Sequence, residues 1–471
     1  MVDIPDVTRA VRNAPDTSRL QEAVAARLDA VPVGRWHRGV LLVVGLGSFF
    51  NFFEVALSSL LVPLLPGGWV ASTTDKSLLI GATFAGELLG ALLLSGLADR
   101  FGRRRMFQVN LVAYAVLSVA AAFAPDAATL IALRVLLGIG LGAELALVDT
   151  YLTELMPTAR RGRMLATAYG LGMLAVPVAG ILAAKLPHSL AGIAGWRWLM
   201  VFAGLGAVIV WVLRRRLPES PRWLAVHRPD EALAAVARIE ATAGPAAPSA
   251  NAEPPVGRMP AKRLTTAVPQ TDLERPRLWG PGLRRRTSLV CVMETLGPIG
   301  FYGFSAIAPL VLLDKGFTVV ESLTYTAMTA LGYPLGCFVL MHLAERVQRR
   351  TLVIVSSLLV AVAGTVFGLG TSAAVIVSAG LCTTLISVIN ATVSRAYGAE
   401  LFPTAVRNTA LGRTYALSRL VAAVLPFCTL TILNAVGAGP LYLICAVLIA
   451  AMSVAVAVLG PKTNAVRLEG V

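Results

Sequence analysis

Twelve stretches of about 20 residues with almost no charge follow one another along this chain, each long enough for a helix to cross a hydrocarbon core of about 30 Å. Lipid offers the backbone no hydrogen-bond partners, so a span of this length has to be an α-helix. The spans read as 39–65, 77–97, 106–124, 127–152, 163–186, 197–213, 287–313, 321–344, 351–369, 372–397, 408–434 and 439–460. Little is left outside them. Of 471 residues 56% are hydrophobic and 14% charged, where a soluble chain carries about a quarter charged residues. The expected fold class is therefore an all-α membrane protein of twelve transmembrane helices, multi-pass in a cell membrane; the alanine- and arginine-rich composition points to a bacterial one.

The loops set the orientation. "DRFGRRR" (99–105), "ARRGR" (159–163), "ERVQRR" (345–350) and "RNTALGR" (407–413) all follow even-numbered spans, and the turns after spans 3, 9 and 11 carry almost no basic residue. The positive-inside rule then puts both termini and every even loop in the cytoplasm. The same arginines account for the net charge of +15 without any nucleic acid partner. Residues 1–37 are polar and lack the apolar run that a cleavable signal peptide needs. All five cysteines lie scattered in apolar segments and read as small core residues, with no metal-ligand spacing.

The chain divides into a cytoplasmic N-terminal tail (1–38), a six-helix half (39–213), a cytoplasmic central loop (214–286), a second six-helix half (287–460) and a C-terminal tail (461–471). The central loop opens with "RRRLPESPRWL", holds the helical pattern "PDEALAAVARIEA", and becomes Ala/Pro-rich from 243 to 270, as a flexible linker does. The two halves repeat. Glu345 follows Asp99 by 246 positions, Glu400 follows Glu154 by the same interval, and Tyr151/Tyr397 and Pro63/Pro309 keep it. Duplicated halves are the layout of a transporter that rocks about a central site.

At these residues the sequence resembles the major facilitator superfamily. "GLADRFGRRR" (96–105) is similar to its loop after span 2, "RVLLGIGLGAE" (134–144) to its span-4 pattern, and "PESPRWL" (218–224) to the segment after span 6 in sugar porters and their organic-ion and metabolite relatives. "GPKT" (460–463) is a weak counterpart of the group's closing motif. Span 7 reads "METLGPIGFYGFSAIAP" (293–309) where sugar porters carry a glutamine-rich patch, which argues against a sugar substrate. "GMLAVPVAG" (172–180) matches the span-5 motif of drug/proton antiporters only loosely.

An ionisable group inside a bilayer costs about 2.5–3.5 kcal/mol on insertion scales, so each one asks for a reason. Glu54 lies roughly 16 Å below the outer end of span 1, and Arg134 roughly 10 Å below the outer end of the antiparallel span 4, so the guanidinium can approach the carboxylate. The resemblance implies the same coupling, since in proton-linked members an acid in span 1 works with the span-4 arginine. Two readings stand side by side: Glu54 and Arg134 couple transport to protons, or they form a permanent ion pair that orients two helices. Arg419 sits roughly 16 Å deep in span 11, in "SRLVAAVLP", which resembles the span-11 pattern of metabolite and organic-acid symporters. It is a candidate for gripping a substrate carboxylate, or for pairing with a buried acid such as Glu294.

Glu87 and Glu144 are further mid-span acids, secondary candidates with Glu294. Phe53, Tyr302 and Asn390 (the repeat counterpart of Glu144) are candidates for the cavity wall, beside Phe52 and Phe304. At the cytoplasmic face Asp99, Arg100, Arg104, Glu154, Arg161 and Arg163 form an N-half charge cluster, with Glu345, Arg346, Glu400 and Arg407 in the other half. The expectation is a gate of ion pairs holding that face shut in one conformation. Gly138, Gly140 and Gly142 allow span 4 to approach a neighbour closely.

The leading expectation is a secondary active transporter working by alternating access, symporting protons with a small organic anion or other metabolite. A proton-coupled drug or metabolite efflux antiporter is the second reading, and a receptor-like membrane protein that moves no solute is a third of another class. No nucleophile–base set, metal cluster or nucleotide loop is present to support an enzyme or a cofactor. The implied partners are the small-molecule substrate, protons and the lipid bilayer, with the chain acting as a monomer.

Overall fold

The computed structural model describes residues 17–94, 97, 100–157, 160–186, 189–243, 278–343, 347–402 and 404–461. Among them eleven helices are long and apolar enough to cross a membrane, or twelve with one bent pair taken as a single span. Span 1 is Arg35–Leu60, span 2 Thr73–Leu93, span 3 Arg103–Ala122, span 4 Ala127–Leu155, span 5 Arg161–Lys185 and span 6 Gly195–Arg214. Span 7 is the bent pair, Arg284–Ser305 followed by Ala308–Asp314 at 52°. Span 8 is Val319–Leu343, span 9 Arg349–Leu369, span 10 Ala373–Glu400, span 11 Thr404–Val436 and span 12 Ala438–Leu459. The pattern of charge-free lengths therefore locates the spans, with ends shifted by a few residues.

The shifts have local causes. At the face opposite the arginine-rich loops, spans 2, 4, 8 and 10 start on side-chain caps: Ser72, Asp126, Thr318 and Ser372 each accept a hydrogen bond from the backbone N–H three residues on. Thr318 follows Ser72 by the repeat interval, and Ser372 follows Asp126, so the caps repeat with the halves. At the arginine-rich face the phenol of Tyr151 donates to the Pro218 carbonyl at 2.6 Å, and Tyr397 to that of Pro461 at 2.8 Å. Each ties the end of span 4 or 10 to the residues just past span 6 or 12.

Within each half the packing is set by glycine. A Cβ on Gly86, Gly90, Gly138 or Gly142 would lie 2.0–2.3 Å from a carbonyl oxygen of the facing helix, so spans 2 and 4 meet backbone to backbone. Gly332 and Gly336, one repeat on from Gly86 and Gly90, do the same for spans 8 and 10, with a carbonyl oxygen 2.4 Å from either Cβ position. Gly140 faces span 3 instead, where its Cβ would meet Asn110 Oδ1 at 2.9 Å. Of the cysteines, Cys337 and Cys445 are buried as expected, but Cys382 and Cys428 face outward, because a lipid-facing helix surface is as apolar as a core.

The halves touch between spans 2 and 11 and between spans 5 and 8. Spans 2 and 11 run antiparallel with contacts at Thr73–Asn434 (2.6 Å), Ser77–Pro426 (3.3 Å) and Gly81 against the Ala423 carbonyl. Spans 5 and 8 meet at Gly180–Ala327 and Gly170–Cys337. One apolar core, drawn from both halves, fills the face opposite the arginine-rich loops. At the arginine-rich face the described residues form two separate cores, one per half. The molecule is thus closed at one face and parted at the other.

The N-half core also takes in two segments outside the spans. Residues 1–38 read as a tail, yet Thr17–Ala30 is a helix whose buried Leu20, Val24 and Leu28 pack with Ala232, Val236 and Ile239 of the helix Pro229–Ala243. Arg27 clasps Glu240 through Nε at 2.9 Å and Nη2 at 2.5 Å. The i, i+4 spacing of Leu20, Val24 and Leu28 was the available signal. The Ala/Pro-rich stretch lies outside the described residues.

Candidate functional site

Between the halves lies a cavity of about 500 Å³ that reaches the arginine-rich face. Arg419 closes its inner end, only 2% exposed. Its Nη1 donates to Glu87 Oε2 at 2.6 Å and to the Tyr302 hydroxyl at 2.7 Å, and its Nη2 donates to the Tyr415 hydroxyl. Its partner is thus Glu87 of span 2, in the other half, and not Glu294. Glu294 lines the same cavity, as does Ser418. Beyond Arg419 a second pocket of about 60 Å³ is lined by Glu87 and Ser58 and shares Phe52, Phe301 and Tyr302 with the large one.

The cavity wall carries a pair of motifs related by the repeat. In the N-half Tyr169 donates to Asp149 Oδ1 at 2.9 Å. In the C-half the Arg395 guanidinium lies 5.3 Å from the centroid of the Tyr415 ring, and that of Arg419 lies 4.7 Å from it. Arg395 and Tyr415 follow Asp149 and Tyr169 by 246 positions each. Sequence reasoning missed all four. Carrying the repeat interval through spans 4 and 5 would have exposed them, because it sets an acid opposite a base at equivalent positions.

Tyr302 and Asn390 line the cavity as expected. Asn390 spends its amide N–H groups on span 9, donating to Ser356 at 2.8 Å, Ser357 at 2.7 Å and the Val353 carbonyl at 3.2 Å. Phe53 does not reach the cavity. It is fully buried against Phe49 and Phe202, while its neighbour Phe52 faces the cavity, since adjacent helical residues point about 100° apart.

Glu54 and Arg134 meet as the depth estimate implied. Arg134 Nη1 donates to Glu54 Oε2 at 2.9 Å, and Nη2 donates to the Glu54 carbonyl at 2.8 Å and to Ser58 at 2.6 Å. Ser118 of span 3 donates to the other carboxylate oxygen. Both side chains are wholly buried inside the N-half and line neither cavity. Ser58, bonded to Arg134, is the link from this pair to the small pocket. A second N-half pair joins Glu144 Oε1 to Arg214 Nη1 at 2.6 Å, with Asn110 donating to the other oxygen at 3.0 Å. From the sequence Arg214 reads as the first residue of the central loop, in the run "RRR", yet it belongs to the end of span 6.

At the arginine-rich face, Glu154 pairs with Arg103 at 3.0 Å and Glu400 with Arg349 at 2.6 Å, another repeat-related set. Glu219 of "PESPRWL" caps span 3, accepting from the backbone N–H of Arg103 and of Arg104 at 3.0 Å each. Arg104 itself donates to the Arg215 carbonyl at 2.6 Å, Arg100 lies 5.5 Å from the Phe101 ring, and Arg163 lines the cavity mouth. Arg161 is half-buried. Asp99, Glu345, Arg346 and the side chain of Arg407 lie outside the described residues. Among the described residues, these carboxylate pairs stay within one half each, as a parted face requires. Gly102 turns into span 3 with φ +97, and its Cβ would stand 2.4 Å from Glu219 Oε2. Gly102→Ala is therefore expected to cost about 1–3 kcal/mol, read as a lower Tm in thermal unfolding.

Comparison with known proteins gives three findings. A family model described as "Sugar (and other) transporter" matches residues 34–471. The Bacillus subtilis protein YyaJ is 29% identical over 402 residues, 84% of this chain and 86% of that one; the niacin transporter NiaP of Acinetobacter baylyi is 29% identical over 331 residues, 69% and 71%. The inward-open structure of the Escherichia coli xylose transporter XylE superposes with a TM-score of 0.70 at 20% identity, covering 92% of this chain and 98% of that one, which is a likeness of fold.

Proposed function

The chain belongs to the sugar (and other) transporter family of the major facilitator superfamily, a multi-pass protein of the cell membrane, and on that premise we propose that it symports protons with a small organic anion. The observation that carries this reading is Arg419. It presents a guanidinium, framed by two tyrosine hydroxyls, at the end of a cavity whose size suits a small metabolite. A buried planar fork of donors suits a carboxylate. The relative named as a niacin transporter handles an aromatic carboxylate, which fits the aromatic wall of Phe52, Phe301 and Tyr302. Span 7 offers no amide pair to hold several sugar hydroxyls.

In this reading the arginine-rich face is cytoplasmic by the positive-inside rule, so the cavity is open inward. The tails and central loop then lie in the cytoplasm, flanking two six-helix halves. Glu54 and Arg134 couple transport to the proton gradient, with Ser58 relaying their state to the pocket. Arg419 and Tyr302 bind substrate, with Phe52 in the place first given to Phe53, and Asn390 holds span 10 in register. The charged residues of the even loops form the gate once the halves rock together. Arg103 and Arg349 join Glu154 and Glu400 in it.

Nicotinate counterflow in proteoliposomes tests the substrate class, and a pH gradient tests the coupling. Glu54→Gln is expected to keep counterflow within about twofold of wild type while losing gradient-driven accumulation, because only the charge that titrates is removed. Full accumulation in that variant would end the role given to Glu54.

A further inference from the structure

The guanidinium best placed for a substrate carboxylate already holds one. Glu87 Oε2 sits 2.6 Å from Arg419 Nη1, both groups are buried, and the pair joins span 2 of one half to span 11 of the other. The second oxygen of Glu87 is buried with no hydrogen-bond partner among the described residues. A buried carboxylate left half-satisfied is a poor device for holding helices together. The seam does not need it either, since spans 2 and 11 are already tied at Thr73, Ser77 and Gly81. Arg419 lines both cavities, with the substrate-sized one on one side and the small pocket that holds Glu87 on the other.

We propose that Glu87 is an internal stand-in for the substrate's carboxylate, that the two compete for Arg419, and that the exchange completes when Glu87 takes a proton. The proposal rests on the reading of this chain as an organic-anion transporter and supplies the step that makes binding depend on a proton. The substrate's carboxylate takes the place of the Glu87 carboxylate on the guanidinium, and Glu87 passes from –COO⁻ to –COOH with one proton from solvent. The net charge of the site is unchanged by the exchange, and this proton, taken at the binding step, is additional to the one that Glu54 carries through the transport cycle. Without that proton two carboxylates would face a single guanidinium in a low-dielectric site.

The groups around Glu87 leave Arg419 as the deciding cation. Span 11 presents Arg419 and Tyr415, span 7 presents Tyr302, and both hydroxyls bond the Arg419 guanidinium. Span 4 presents Arg134, which is already neutralised by Glu54 of span 1. Span 10 presents Arg395, which lines the open cavity together with Asp149. Tyr302 and Tyr415 hold the guanidinium in place during the exchange, so its orientation does not depend on which carboxylate is bound.

The test uses the purified full chain, with nicotinate and benzoate as probes, titrated calorimetrically between about pH 5.5 and 8, with proton uptake counted in weak buffer. For the wild type the expected result is a Kd that rises with pH, by up to about tenfold per unit, and about one proton taken up per ligand bound. Glu87→Gln is expected to bind with an affinity independent of pH and to take up no proton. A Glu87→Gln protein with the wild-type pH slope and proton count overturns the role of Glu87. In that case binding that still needs Arg419 leaves the anion-transporter reading standing. A zero proton count on the wild type overturns the proposal by itself, whether or not the variant folds. Failure of both probes to bind wild type at any pH removes the proposal together with the organic-anion reading it rests on.

Discussion

Arg419→Gln is expected to abolish saturable carboxylate uptake and to lower the stability of the protein, and the two effects are separable. The uptake loss follows from the bond type. A charge-assisted contact to a carboxylate is worth about 1.5–3 kcal/mol, so its removal weakens binding by roughly 10- to 150-fold. The stability loss comes from Glu87, which keeps its buried place opposite the missing guanidinium; breaking one side of a buried pair costs about 3–5 kcal/mol. Glu87→Gln/Arg419→Gln removes both charges and should recover most of the Tm without recovering uptake. Arg419→Lys should fall between, because an ammonium keeps the charge and loses the planar fork that reaches Glu87, Tyr302 and Tyr415 at once. Initial rates of nicotinate uptake into proteoliposomes, set beside thermal unfolding of the same preparations, check both. Wild-type substrate affinity in Arg419→Gln would sink the binding role.

What was legible in the sequence depended on whether it rests on length, depth or direction. Span positions rest on length and were readable. The meeting of Glu54 with Arg134 rests on depth along two antiparallel helices, and a rise of 1.5 Å per residue was enough to foresee it. The partner of Arg419 rests on direction around the helix axis. Glu87 and Glu294 lie at similar depth, and only rotation decides which one the guanidinium meets. In a soluble helix the polar face would reveal that rotation, but here lipid and core are both apolar and no such face exists. Phe52 and Phe53 were exchanged for the same reason. The repeat partly supplies the missing direction. Asp149 and Tyr169 share the cavity wall with Arg395, which lies over Tyr415, because equivalent positions in the two halves point toward the axis that relates them.

The second large effect is expected at Arg214, and it distinguishes a structural ion pair from a proton site. Arg214 and Glu144 are 1% and 0% exposed and meet at 2.6 Å, away from both cavities. The guanidinium lies over the Phe107 ring at 4.3 Å, and its Nη2 stands 1.8 Å from where a Cβ on Gly47 would be, so span 1 has no room for a larger residue there. Arg214→Met should leave Glu144 as an unpaired buried charge and cost about 3–5 kcal/mol, a fall in Tm upwards of about 5 °C. The other half shows that the position itself does not demand a charge. Asn390, one repeat on from Glu144, satisfies its amide on Ser356, which is the counterpart of Asn110, and on Ser357. Glu144→Gln/Arg214→Met should therefore recover most of the lost Tm, with the glutamine amide facing Asn110 as Asn390 faces Ser356. If the pair is structural, the double variant still accumulates nicotinate under a pH gradient. A double variant that folds and exchanges substrate but no longer accumulates it would place Glu144 on the proton path.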